Sequence, residues 1–406
     1  MFFSSGKTKR RFNINFALFC SSDKSVNLLN THYAFLYMAW QMLCMFSMVF
    51  LYKAGVPLPF VFLTSAGIFV FRFLFRPLSL ILINKIGCKK TLIIGSMVLC
   101  LPPLAIIPVT GLNQWLYIYI GINTVADCLY WLSYHTFFAN SGRIEERGTA
   151  LGIREGLSKI ATIVGPLLSG SLLTIYGPKV AFGITSFLTF LASIPLFLLP
   201  DVKMKKLTRK EKKGVSKFGM KIFIVWGFMQ TVTAWPIILF KLFGENFQIY
   251  GWLLSLLGFF MAVMSFVLGR FIDKGKGKSI YRISIALIII TNLGRALFAY
   301  DYTTVIAFDI LYSISFCFFT PAGMTAVYNV SKTTSNPLYF QFYAEAGWDI
   351  GSVLALICCA AMAFLGINLR YSLALSAFGA ILTGIGLFFY YEKPSKPVED
   401  SEAKAA

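Results

Sequence analysis

DCLYWLSYH, residues 127–135, is the stretch on which the reading of this chain turns. It sets Asp127 and one of only two histidines inside a run from Leu112 to Ala139 that is otherwise mostly Leu, Ile, Val, Tyr, Trp and Phe. A carboxylate at the centre of a membrane helix costs about 2.5–3.5 kcal/mol on insertion scales, so such groups face a bundle interior, pair, or touch water. At 100° per residue Asn123, Asp127, Trp131, Tyr134 and His135 share one helical face. The phrase returns 182 residues later as DILYSISF, Asp309 to Phe316, with Asp, Leu, Tyr and Ser at identical spacing. There Asp309, Ser313 and Cys317 share a face. A duplicated polar stripe of this kind predicts two repeats lining one central cavity.

Working outward, the composition fits a bilayer rather than water. Hydrophobic residues make up 57% of the 406-residue chain and charged residues 13%, with a net charge of +20. Soluble domains are about a quarter charged. A transmembrane helix needs about 20 apolar residues, and twelve candidates emerge: 33–53, 58–83, 90–109, 113–139, 149–175, 178–200, 220–242, 248–271, 280–299, 303–328, 338–365 and 368–391. With both termini in the cytoplasm, most of the 37 Lys and Arg fall on the cytoplasmic side, and Lys53, Lys179, Lys241 and Arg370 on the other. That asymmetry is the positive-inside pattern. It excludes nucleic acid as the partner, because a binding surface would gather charge on one folded face.

The exception to short connections is DVKMKKLTRKEKKGVSKFG, residues 201–219. It divides the chain into a cytoplasmic N-terminal tail (1–29), a six-helix bundle (30–200), the basic cytoplasmic linker (201–219), a second six-helix bundle (220–391) and a cytoplasmic tail (392–406). Lys7, Lys9, Arg10 and Arg11 precede the apolar run 12–20, which has two Asn and no small-residue cleavage site, so a retained tail is expected rather than a signal peptide. Weaker echoes support duplication: Gln41 with Gln230, and Asn84-Lys85 with Asp273-Lys274. The eight cysteines form no CxxC, and His32 and His135 lie far apart, so no metal site or cofactor is expected. Gly-Lys-Ser at 277–279 lacks the leading glycine of a P-loop, since Ile272 stands there. No catalytic constellation emerges, and an enzyme is not expected.

With these residues in view the chain resembles the major facilitator superfamily, from about residue 30 to 392. The loop GRFIDKGKGK, Gly269 to Lys278, is similar to the family's Gly-x-x-x-Asp-Arg/Lys-x-Gly-Arg/Lys-Arg/Lys, while INKIGCKK after span 2 has Asn84 in place of the aspartate. VGPLLSG, Val164 to Gly170, looks like the Gly-Pro motif of family antiporters, a hint of export; Gly156, Gly165 and Gly170 equally permit close helix contact. Span 4 lacks the arginine that many family drug antiporters carry. The resemblance implies an all-α membrane protein of twelve transmembrane helices in two pseudo-symmetric six-helix bundles. It also implies spans 1 and 7 at the cavity and the 269–278 loop against the opposite half.

Candidate substrate contacts are therefore Gln41, Asn123, Asp127, Trp131, Gln230, Trp235, Asp309 and Ser313. Asp127, Asp309, Glu345 and Asp349 are candidates for proton coupling, since a carboxyl desolvated beside another holds a proton more tightly; no adjacent cation accompanies Glu345 and Asp349 in sequence. Arg154, Glu155, Lys159, Gly165, Pro166, Gly269, Asp273 and Lys274 are candidates for gating, with Glu155 and Lys159 spaced for an i,i+4 ion pair. Arg72 and Arg76 share a face of span 2, where they bind an anion, neutralise cavity carboxylates, or snorkel to an interface. His135, late in span 4, reads as an interfacial histidine.

The function expected is secondary active transport of a small organic solute by a monomer in the bilayer, through alternating access. Protons are the expected driver and export a possible direction. The bacterial inner (plasma) membrane is the expected location. The alternative is a non-transporting membrane receptor or assembly factor on the same scaffold.

Overall fold

The computed structural model describes residues 23–140, 147–200, 217–272, 277–333 and 336–392. Their helices are α1 (Lys24–Lys53), α2 (Leu58–Ile86), α3 (Cys88–Val98), α4 (Pro102–Ala105), α5 (Gln114–Asn140), α6 (Arg147–Ile175), α7 (Gly177–Phe197), α8 (Phe218–Phe228), α9 (Ala234–Leu242), α10 (Phe247–Ile272), α11 (Gly277–Phe298), α12 (Tyr302–Thr333), α13 (Pro337–Phe364) and α14 (Ser372–Glu392). Counting α3 with α4 and α8 with α9, these form twelve membrane-length units among the described residues. Eleven are long and apolar enough to cross a bilayer by composition. The twelfth, α5, has the length; it is the helix that carries Asn123, Asp127 and His135.

The departures from the expected spans have local causes. The first helix starts nine residues before position 33, at Lys24, with Asp23 as its N-cap accepting a hydrogen bond from the Ser25 amide at 2.7 Å. Residues 24–29, expected in the tail, are thus helical; further along, Asn30 and His32 are both buried, and His32 bridges the Ala192 carbonyl (2.6 Å) and the Tyr130 hydroxyl (2.9 Å). The third span breaks ahead of Pro102-Pro103, since proline cannot donate the helical hydrogen bond. The seventh tightens to a 3₁₀ turn at Met229–Thr233. Carbonyls freed in hydrocarbon need partners; here the Ser376 hydroxyl donates to the Met229 carbonyl at 3.0 Å and the Cys359 thiol to that of Thr231 at 3.5 Å.

Hydrophobicity does not drive helices together in lipid, so close contact relies on small residues. Within each half the fifth span packs on the first: a methyl group at Gly165 of α6 would strike Gln41 of α1, and one at Gly351 of α13 would strike the Ile224 carbonyl of α8. The halves meet along two seams, α6 against α10 and α2 against α13, which a pseudo-twofold axis would exchange. In the first, a Cβ at Gly251 would run into the Pro166 carbonyl and the Gly170 backbone.

The apolar packing is not uniform along the bundle. Call the end bearing both described termini the terminal face. At the other end a single continuous core takes Phe46, Phe50 and Val61 from the first half and Phe240, Tyr250 and Cys359 from the second. Toward the terminal face it gives way to two cores, one around Tyr130 and Phe137 that also takes in Leu338 of the second half, and one around Trp226 and Phe319. Residues such as Leu74, Ile81, Phe187 and Phe389 are exposed on the periphery, as a lipid-facing surface requires.

Candidate functional site

Helix α2 is fixed against α5 by the Cys128 thiol donating to the Arg72 carbonyl at 3.3 Å, and by the Thr124 hydroxyl, 3.5 Å from the carbonyl of Ile68. Their four-residue spacing then sends Arg72 and Arg76 together toward α13 and its carboxylates. Arg72 Nε donates to Asp349 Oδ1 at 2.6 Å and Arg76 Nε to Asp349 Oδ2 at 3.1 Å, with a terminal nitrogen of each guanidinium on the same carboxylate. Arg76 Nη1 also donates to Glu345 Oε2 at 3.4 Å, and His135 Nε2 stands 3.7 Å from Glu345 Oε1. Arg72 Nη1 lies 3.6 Å from Asp127 Oδ2, whose other oxygen accepts from Trp131 Nε1 at 3.2 Å.

This corrects two expectations. Glu345 and Asp349 do have cations beside them, supplied by α2 rather than by their own helix. His135 joins the cluster rather than an interface; for Arg72 and Arg76, of the readings left open, the structure shows the neutralisation of carboxylates.

The electrostatics leave a remainder. Two guanidiniums face three carboxylates, and an uncompensated buried charge costs several kcal/mol. Neutrality requires one further positive charge: a proton, or a bound cation. Side-chain exposure is graded, 0% for Asp349, 6% for Asp127, 12% for Glu345 and 17% for His135. Access therefore widens toward the terminal face, and the continuous apolar core closes the other end.

The structure does not bring Asp309 to this cluster. Its side chain is fully buried in the second half, where Arg295 Nη2 donates to Oδ1 at 2.6 Å and Trp235 Nε1 at 2.8 Å. The Arg295 guanidinium lies over Tyr312, 3.9 Å from the ring centroid. The pair sits near the far end of the bundle, with Arg295 in the last turn of α11. Trp235 is thus engaged with Asp309, and Ser313 is buried one turn further along α12.

Of the other candidate contacts, Gln41 is buried against Gly165, Asn123 is half-buried one turn before Asp127, and Gln230 is half-buried in the 3₁₀ turn. Among the candidate gating residues, Glu155 pairs with neighbouring Arg154 at 2.9 Å rather than with Lys159, and the Arg154 guanidinium lies over Tyr33 and Phe138. Gly165 and Pro166 lie in α6, Gly165 against α1 and the Pro166 carbonyl against α10. Gly269 lies in α10, and Asp273 and Lys274 fall outside the described residues. Sequence reading missed Arg295. A basic residue deep in an apolar span was the available signal, but its partner is on another helix.

The Major Facilitator Superfamily profile matches residues 31–240 and 218–406. No curated protein matches the chain. Among solved structures, the chain is similar to the human organic anion transporter MFSD10 (TETRAN), with TM-score 0.65, 12% identity and coverage of 91% of this chain and 98% of that one. It is similar also to the POT family transporter PepTSo, with TM-score 0.68, 10% identity and 92% and 98% coverage. A peptide transporter POT in complex with sulfate gives TM-score 0.64, 11% identity and 91% and 94% coverage. At these identities the likeness is one of fold.

Proposed function

The chain belongs to the major facilitator superfamily, and from that premise we propose that it moves a small organic solute across the membrane by alternating access, driven by proton exchange. The observation that carries this reading is the charge imbalance on the α2–α13 seam. Arg72, Arg76 and Asp127 belong to one half and Glu345 and Asp349 to the other. Any rocking of the halves must loosen these ion pairs, and the proton that neutralises the third carboxylate changes how firmly they hold.

His135, beside Glu345 at the more exposed end of the cluster, is the natural point of proton entry. From there a proton reaches Asp127, where the solute competes for the same excess charge. One proton or one solute at a time is exchange, so the direction of transport opposes that of the proton, and with an inward proton gradient the protein exports. Asp309 and Arg295 act in this scheme as a structural brace of the second half. The protein works as a monomer in the bilayer with both termini in the cytoplasm, which puts the accessible mouth inside; a bacterial plasma membrane suits that orientation and gradient. It performs no covalent chemistry.

The test is reconstitution in proteoliposomes with a pH dye in the lumen. Solutes chosen by a thermal-shift screen, which reports ligands that bind the folded state, are expected to evoke proton movement in the opposite direction. Solute flux that is unchanged when a protonophore collapses the gradient sinks proton coupling. Binding without any flux favours the receptor alternative.

A further inference from the structure

Resting on that reading, we propose that the solute is an organic monocation with an aromatic ring, its charge against Asp127 and its ring in the corner formed by Trp40 and Trp131. Anionic solutes lack a receptor in this cluster. Arg72 and Arg76 are both engaged by Asp349, with Asp127 and Glu345 as their further partners, and Arg295 is engaged by Asp309. An anion reaching any of them would displace a carboxylate and leave it buried without its counter-ion, which is strongly unfavourable. Asp127 is the reverse case. Its nearest cation stands 3.6 Å away and is shared with Asp349, and Asp127 keeps 6% exposure where Asp349 has none.

Aromatic surface adjoins that carboxylate. Trp131 donates to Asp127 from one turn further along the same helix, and Trp40 of α1 meets it at right angles, with ring centroids 5.4 Å apart. His135 stacks on Trp131 at 5.6 Å. Both tryptophans are half-buried, Trp131 resting on the core around Tyr130 and Tyr134, so each keeps part of its ring accessible. An aromatic face attracts a desolvated cation, and the carboxylate supplies the matching charge. At the offsets of the internal repeat the second half has Met229 and Ser313 in place of Trp40 and Trp131, so the corner exists once. The titratable and charged groups around Asp127 are Arg72 and Arg76 on α2, Glu345 and Asp349 on α13, and Tyr119, Cys128 and His135 on its own helix, with Cys44 on α1 and Arg154 on α6 further out.

The experiment uses the purified full chain in detergent, tryptophan fluorescence as the binding signal, and a pH indicator in weakly buffered solution. The probes are benzyltrimethylammonium, whose charge does not titrate, and phenylacetate. Benzyltrimethylammonium is expected to bind with release of a proton and to weaken as the pH is lowered from neutral. Asp127→Asn should lose about tenfold in affinity and its pH dependence. Trp131→Leu should lose roughly 2- to 30-fold, the range of a cation–π contact, and still release the proton. Preferential binding of phenylacetate overturns the cation assignment, as does failure of the cation to bind the folded wild type. So does cation binding that both substitutions leave unchanged. Cation binding without proton release keeps the substrate class and removes proton exchange. Should Asp127→Asn fail to fold, the wild-type comparison of the two probes and Trp131→Leu still decide.

Discussion

The Asp127 and Asp309 sites begin from the same phrase of sequence and arrive at the same chemistry, a carboxylate held by one guanidinium and one indole N–H. They differ in distance and position. Asp309 is bound at 2.6 Å by Arg295 and 2.8 Å by Trp235, all three within the second half, with no side-chain exposure. Asp127 is bound at 3.6 Å by Arg72 and 3.2 Å by Trp131, and that arginine is shared with a carboxylate of the opposite half. A short, private, sealed pair is suited to holding a bundle together. A longer pair, shared across a seam and open to one face, is suited to changing partners. Duplication supplied the carboxylate twice; which helices surround it decides what it can do.

The largest effect should come from Asp349→Ala, which strips both Arg72 and Arg76 of their common partner. Removing one member of a buried ion pair costs about 3–5 kcal/mol, so the variant should melt far below wild type and lose transport. Asp309→Ala should destabilise on the same scale. The two sites part company when the charges are removed together, because replacing a whole buried pair by apolar residues of similar size is often neutral or stabilising. Arg295→Met with Asp309→Leu should recover the melting temperature and keep transport. Arg72→Met, Arg76→Met and Asp349→Leu combined should not recover the melting temperature, because Asp127 and Glu345 are left buried without a counter-ion, and should lack proton-linked flux. If the Arg295/Asp309 double variant folds and does not transport, the brace reading of the second half is wrong.

The sequence made the scaffold legible because membrane spans announce themselves by length and hydropathy, and because glycine spacing marks close seams. Asp127 was legible too, as a charge in an apolar run. The pairings were not. Arg72 and Arg76 lie 273–277 positions from Asp349, on helices that periodicity describes one at a time. Which face of α2 meets which face of α13 depends on tertiary packing, so the same arginines read equally as anion ligands, neutralisers or snorkelling groups. Asp309 is the converse case: a repeated motif implies an equivalent place in the fold but not equivalent surroundings. The early start of α1 was hidden because Lys24, Ser25 and Asn27 are polar and read as tail, although Asp23 caps the helix there.

A smaller effect contrasts the two seams. The α2–α13 seam is charged, whereas α6–α10 is closed by glycines, with Gly251 against Gly170 and the Pro166 carbonyl. Gly251→Ala forces a methyl group into backbone, an overpacking cost of about 1–3 kcal/mol. The expected result is a lower melting temperature with the pH profile of transport unshifted, since no ionisable group at the charged seam is touched. Smaller still is the link at the end of the bundle away from the termini, where Lys53 donates to the Glu245 carbonyl at 2.6 Å and Tyr52 to its carboxylate at 3.3 Å. Lys53 is exposed, so Lys53→Met should change stability by less than about 1 kcal/mol. Cysteine cross-linking across that end would register any opening.

The smallest effect serves as a control on the Asp309 helix. Asp301 caps α12 two turns before Asp309, accepting from the Thr303 and Thr304 amides at 2.9 and 3.0 Å and from the Thr304 hydroxyl at 2.7 Å. These hydrogen bonds, led by the Thr304 hydroxyl, hold its carboxyl below the usual aspartate range. A group whose value is depressed on folding stabilises the fold above its unfolded value, and the contribution disappears as pH falls through the folded one. The cap is therefore intact throughout the neutral range and weakens only in acid, below the ordinary aspartate value of about 3.9. Asn caps as well as Asp, so Asp301→Asn should leave the neutral-pH melting temperature in place and flatten only the acid limb. A neutral-range transport profile that moved with this substitution would mean that the second half, and not the Asp127 cluster, sets the proton dependence.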